Sequence, residues 1–254
     1  MVSASAEVSV NRLDERLIAA TLAELIRKWQ LLVFDTDGVL LRDSGRVEGL
    51  RLTAGRHHRE NAQYEMTFEP DETKEKAPEP ISLTILASAQ DRLIVRAQPD
   101  QDISAALDIE NPTRPNTITG TLEVALPKDL PMFSGPMNGR AEMDLATLKA
   151  QARLKHRRAR ADATVTVGQP NPGQSSIKAT VRLHGRGLLW LPVAMAGPFV
   201  RSRLRAKLAD AMDQVAVQID SQKIGTLNAS ELAEELFGKF LTSLAVKRLP
   251  RQTG

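Results

Sequence analysis

The chain has 254 residues, 42% of them apolar and 26% charged, with a net charge of +3. These proportions support a packed core and exclude a globally disordered chain. With no cysteine it can form no disulfide, thiolate metal site, iron–sulfur cluster or cysteine nucleophile, and aromatics at 4% leave few platforms for stacking single-stranded nucleic acid.

The first residues, Met1 to Glu7, show no basic region followed by an apolar stretch, so no secretory signal is expected. No run reaches the roughly 18 apolar residues that span a bilayer. A soluble, cytoplasmic chain is the expectation, with peripheral membrane contact left open. Glu7 to Val10 reads as a short strand. Asn11 is placed to cap an amphipathic helix to about Trp29, with Leu13, Leu17, Ile18, Leu22, Leu25, Ile26 and Trp29 on one stripe.

Period-two segments follow, the pattern of strands with one buried face. They are Leu50–Thr53, Tyr64–Phe68, Ile81–Ile85, Ile118–Leu126, Leu148–Lys155 and Ile177–His184, with a more fully apolar strand at Asp91–Arg96. Pro70 to Pro80 reads as an exposed loop, and Asn111–Asn116 and Gln169–Gln174 as turns. Beyond Gly187 the period becomes helical. One long helix is expected from Leu188 to about Val217, kinked or restarted near Pro198, and a second from Asn228 or Ser230 to about Lys247.

This order predicts an α+β fold: a long, curved antiparallel sheet, or two smaller ones, packed on an N-terminal helix and long C-terminal helices. A single domain over 1–254 is expected. Its candidate seam is the proline- and glycine-rich stretch 127–139, between an N-terminal sheet half and a basic C-terminal half of sheet and helix.

Charge is unevenly spread. Between Lys149 and Lys207 thirteen basic residues face one acid, Asp162, in a chain whose net charge is only +3. Arg157, Arg158, Arg160, Arg201, Arg203, Arg205 and Lys207 are therefore candidates for contact with an anionic surface. Within this region lies the apolar segment Leu188 to Val200. It suits either an interfacial helix on an anionic membrane or a helix lining a pocket over the sheet. Leu188, Trp190, Leu191, Met195 and Phe199 are the candidate ligand-binding residues.

Leu31-Leu32-Val33-Phe34-Asp35-Thr36-Asp37-Gly38-Val39-Leu40 resembles the first motif of the haloacid dehalogenase-like phosphotransferases. The resemblance implies an Asp35 nucleophile, Asp37 as acid/base, and magnesium bridging carboxylate and phosphate. Thr84 or Ser88 would have to serve as the later hydroxyl, and no late strand ends in paired acids. The residues alone support a second reading. Asp-Gly between apolar runs is a hairpin signal, with Leu31–Phe34 as one strand and Val39–Arg42 as its return.

The adjacent His57 and His58 do not have a chelating arrangement, and His156 and His184 read as surface positions. No metal and no cofactor are expected.

The run Ala179 to Gly187, then a long helix with Arg201, Arg203, Arg205 and a Leu204/Leu208/Met212 stripe, resembles the close of helix-grip proteins of the START and polyketide-cyclase-like type. The early strand and helix agree in order. Tubular lipid-binding (TULIP-type) proteins are a second likeness. Both resemblances imply a cavity for an apolar ligand and carry over no catalytic residue. The preferred function is non-enzymatic binding of a lipid or apolar small molecule, with anionic membranes as a further partner. The alternatives are a magnesium-dependent phosphatase using Asp35 and Asp37, and a basic scaffold for an acidic protein or nucleic acid.

Overall fold

The computed structural model describes residues 1–11, 13–42, 45–69, 79–126, 135–171, 173–185, 197–221 and 227–244, without the side chains at 197–200, 218 and 221. β1 (Val2–Asn11) leads into α1 (Glu15–Gln30). Asp14, not Asn11, caps the helix: its carboxylate accepts from the N–H groups of Arg16 at 2.8 Å and Leu17 at 3.4 Å. Asn11 stays in the strand and donates its N–H to Asp220 Oδ1 at 3.0 Å. The strand is longer than its alternating core because Ser3, Ala4 and Ser5 still find partners on β13.

Twelve strands then run as an antiparallel meander. They are β2 (Val33–Phe34), β3 (Val39–Arg42), β4 (Gly45–Ala54), β5 (Gln63–Met66), β6 (Ile81–Ser88), β7 (Arg92–Gln98), β8 (Ile103–Glu110), β9 (Thr117–Leu126), β10 (Gly135–Asp144), β11 (Lys149–His156), β12 (Ala159–Asn171) and β13 (Gln174–Gly185). β1 returns to pair with β13, so the curved, unclosed sheet has β1 at one edge and β2 at the other. Since α1 joins these two edge strands, it has to run from one edge of the sheet to the other.

Among the described residues beyond the sheet are two helices, α2 (Gly197–Ser221) and α3 (Ala229–Ser243). Pro198 falls in the first turn of α2, where a missing N–H costs nothing. Of the expected Leu204/Leu208/Met212 stripe, Leu208 and Met212 pack inward, joined by Ala216 and Ile219, and α2 lies along the edge strand β1. Asn228 and Glu231 form a capping box on α3. Its far end joins the sheet through the Glu69 N–H to Ser243 O bond at 3.0 Å and a bridge between Phe68 and Leu244.

The inner face holds two packed clusters. The first gathers Leu40, Leu50, Tyr64, Ile85, Leu93 and Ile109 around Ile26 of α1, Leu241 of α3 and Leu244 just beyond it. The second gathers Val10, Leu148, Ile177 and Ala179 around Leu13 and α2, with Ile18 of α1 against it. Helix α1 thus contributes to both. The buried Ser175 hydroxyl accepts the Leu13 N–H at 2.9 Å and fixes the entry of α1 over the sheet.

Candidate functional site

The Asp35 motif forms a hairpin, not the carboxyl edge of a parallel sheet. Val33 pairs with Leu41 and Phe34 with Leu40, antiparallel. Asp35 Oδ1 accepts from the N–H groups of Asp37 and Val39, both at 2.9 Å, and closes the turn as an Asx-type residue should. Arg46 then holds Asp35 Oδ2 and Asp37 Oδ2, each at 3.1 Å. Asp35 Oδ1 is thus engaged by the turn and Oδ2 by Arg46, which ties the carboxylate into the hairpin. The hairpin reading of this motif holds, and Asp35 and Asp37 take part in the turn, not in the arrangement the phosphotransferase resemblance implied.

His57 and His58 also serve the fold. His57 Nε2 lies 3.0 Å from Trp29 O, which only accepts, so the ring proton is assigned to Nε2. Nδ1 then accepts the Tyr64 hydroxyl proton at 2.9 Å, and the hydroxyl oxygen accepts the His58 N–H at 2.8 Å. Ser88 lies 3.3 Å from His58 Nε2, yet its hydroxyl donates to His58 O at 2.8 Å. Its proton is bound to a carbonyl, so the pair is not set up as a nucleophile and its base. His156, expected at the surface, is buried at the inner end of the β11–β12 hairpin. It shares a face with Leu154 because the two are separated by one residue on the same strand.

Burial holds both His57 and His58 below the ordinary imidazole pKa, His58 further through the neighbouring His57 and Arg59 charges. The unfolded chain therefore takes up these protons first. Stability is full above about pH 6.5 and is lost as pH falls toward the lower folded values. A melting series from pH 8 to 5 should show the midpoint falling in acid, with a smaller slope in a His57→Gln/His58→Gln double variant. Equal slopes would refute a histidine origin.

Register separates the two faces of the central strands. Ile109, Ile118, Met143, Ala150 and Val165 lie on the inner face beside the packed clusters. Two residues further along each strand, the same face carries Gly120 and Leu122 of β9, Gly139 and Ala141 of β10, Ala152 and Leu154 of β11, and Ala161 and Ala163 of β12. These line an open trough of about 320 Å³. Leu107, opposite Gly120 on β8, is 42% exposed beside it. Small side chains make this hollow: Leu122 and Leu154 close on Gly139, where a Cβ would sit 3.3 and 3.2 Å from them, whereas a Cβ at Gly120 meets nothing within 4 Å.

The outer face of the same strands is charged. A second trough of about 660 Å³ is lined by Asn138, Arg140, Glu142, Arg153, Lys155, Arg160, Asp162, Arg182 and His184, among others. Hydrogen bonds from Arg160 and Arg153 pull the Asp162 pKa down to about 2.

The structure separates the residues singled out from sequence. Arg160 enters the outer trough, while Arg157 and Arg158 form the β11–β12 turn. Arg201, Arg203, Arg205 and Lys207 are exposed on α2. Leu188, Trp190, Leu191, Met195 and the Phe199 side chain lie outside the described residues. The trough residues of β9–β12 were missed as a site. Their signal was present as glycine and alanine at inner-face positions of alternating strands, where large apolar residues are usual.

No protein-family model and no curated protein matches the chain. Among solved structures it is similar to TTHA0849 from Thermus thermophilus, at 8% identity and a TM-score of 0.35, covering 87% of this chain and 99% of that one. It is also similar to the di-domain ARO/CYC proteins StfQ, from the steffimycin biosynthetic pathway, and BexL, from the BE-7585A pathway. Identities are 9% and 8%, TM-scores 0.19 for both, and coverage 94% and 92% of this chain and 100% and 98% of theirs. Likenesses this slight carry no argument about what the chain does. No helix among the described residues is long and apolar enough to cross a membrane.

Proposed function

We propose that the protein binds an apolar small molecule or lipid chain in the inner-face trough, with no covalent step. The supporting observation is the open, small-residue surface of β9–β12, which continues the face that is packed shut on either side. The volume falls at the small end of ligand pockets. By register the trough's inner-face side chains are apolar; Thr121, Arg140 and Arg153 also border it from strand positions whose side chains belong to the opposite face, and the buried His156 follows Leu154 on the inner face. The exposed α2 cations Arg201, Arg203, Arg205 and Lys207 suit contact with an anionic membrane from which such a ligand is drawn.

Gly120→Phe tests the placement. The new ring has room at its Cβ and adds strand propensity, so folding is retained while the trough is filled. Affinity for a fluorescent fatty acid should fall about tenfold or more, one to two kcal/mol of lost burial, at an unchanged or raised melting temperature. Unchanged affinity would move the site elsewhere. Absence of fatty-acid binding, and of any co-purifying apolar ligand in native mass spectrometry, would end the reading. Membrane contact should appear as flotation with phosphatidylglycerol vesicles that weakens with salt, and salt-indifferent flotation would count against it.

A further inference from the structure

From the outer face of β10–β13 we infer a second site, for a small polyanion bearing several linked phosphate groups. The strand registers set its charges in two rows. Arg140, Arg153, Asp162 and Arg182 are direct cross-strand neighbours on four consecutive strands, and the row beside them reads Asn138, Lys155, Arg160 and His184. Directly opposed side chains on one face have Cβ atoms about 5 Å apart, and like charges so placed repel. Two such pairs occur here, Arg140 with Arg153 and Lys155 with Arg160.

The one acid in these rows does not neutralise them. Asp162 is bonded by Arg153 Nε at 2.8 Å and by Arg160 Nε at 2.7 Å, with His184 Nε2 at 3.6 Å. Asp162 therefore fixes two guanidinium planes and leaves the others unbalanced. Arg140 has Glu142 only at 3.8 Å, and both are well exposed. The Lys155 and Arg182 side chains form no ion pair or hydrogen bond with any described residue. Repulsion maintained inside a concave surface, at a cost to the sheet, is the local conflict expected where a ligand supplies the missing charge.

The shape selects among anions. Three strand spacings of about 4.8 Å make the first row roughly 14 Å long, long enough for a chain of phosphates and more than one orthophosphate covers. The cations line a hollow of about 660 Å³, which a flat bilayer meets only at its rim. No Phe, Tyr or Trp lines the hollow to stack a base. By register the cationic side chains of this site lie on the face opposite the inner trough, although Gly139, Arg140, Ala152, Arg153 and Ala163 border both.

Calorimetric titration of the full chain with inorganic tripolyphosphate and with orthophosphate tests the assignment. Tripolyphosphate should bind, weaken with added salt, and raise the melting temperature, with orthophosphate about tenfold weaker or worse. Lys155→Gln and Arg182→Gln should each reduce tripolyphosphate affinity about tenfold, the worth of one charge-assisted contact. Lys155→Gln should melt no lower than the parent, because it relieves repulsion from Arg160; Arg182→Gln removes the charge opposite Asp162 and is read by affinity alone. Arg205→Gln on α2 and Gly120→Phe in the inner trough should leave the affinity unchanged. No heat with tripolyphosphate, an equal loss in Arg205→Gln, or binding to phosphatidylglycerol vesicles alone would overturn the site, and none of these bears on the fatty-acid result.

Discussion

Tyr64→Ala should lower the unfolding free energy by about 3–5 kcal/mol, read as a shift in denaturation midpoint with the slope unchanged. The ring is 1% exposed and meets Trp29 of α1 edge-on at 5.2 Å, Phe34 at 5.9 Å and His57 at 5.9 Å. It therefore joins the end of α1, the first hairpin and β5. Tyr64→Phe separates the two contributions. It keeps the ring but strands His57 Nδ1 and the His58 N–H, which the hydroxyl serves at 2.9 and 2.8 Å. That loss should be smaller, about 1–3 kcal/mol. Burial also raises the Tyr64 hydroxyl pKa, so the donor stays protonated at neutral pH. A phenylalanine variant as damaged as the alanine one would show that hydrogen bonding, not packing, dominates this junction.

The sheet was legible where strands alternate cleanly. Ile81–Ile85, Ile118–Leu126 and Ile177–His184 place apolar residues on one face at alternate positions, so the two-residue period is strong. β8 was not legible because Ser104, Ala105 and Ala106 blur the contrast between its faces. β10 was hidden by Gly135, Pro136, Asn138 and Gly139, which read as turn formers; its extended course is fixed by ten cross-strand pairs with β9, from Gly135–Leu126 to Asp144–Thr117. β12 runs on past Gly168 to Asn171 through a register shift, so Gln169 and Pro170 lie in a strand where a turn was expected. In each case tertiary pairing overrides a local signal.

The candidate site was legible only as charge. Thirteen cations against one acid marked out Lys149 to Lys207, but linear counting cannot show which face of a strand each one occupies. Arg153, Asp162 and Arg182 are distant in sequence and adjacent across β11, β12 and β13. The inner trough was harder still, because its defining feature is missing bulk. Gly120, Gly139, Ala152 and Ala163 register as weak strand formers until pairing aligns them on one face.

Gly38→Ala should cost about 3 kcal/mol, through two separable causes. The residue has φ +78°, which an L side chain adopts at about 1–2 kcal/mol. A Cβ there would also lie 2.1 Å from Leu52 O, and Gly38 O already accepts the Leu52 N–H at 2.7 Å. Backbone on one side or the other must move, and the β2–β3 turn would lift from β4. Gly173→Ala supplies the control: its φ is +85° but its Cβ would meet nothing within 4 Å, so only the conformational cost remains, about 1 kcal/mol. The difference between the two variants measures the close approach. Equal melting temperatures would mean that the approach is not held in solution. A large difference would explain the Asp-Thr-Asp-Gly run without catalysis: Asp35 closes the turn, and the glycine lets that turn sit against the neighbouring strand.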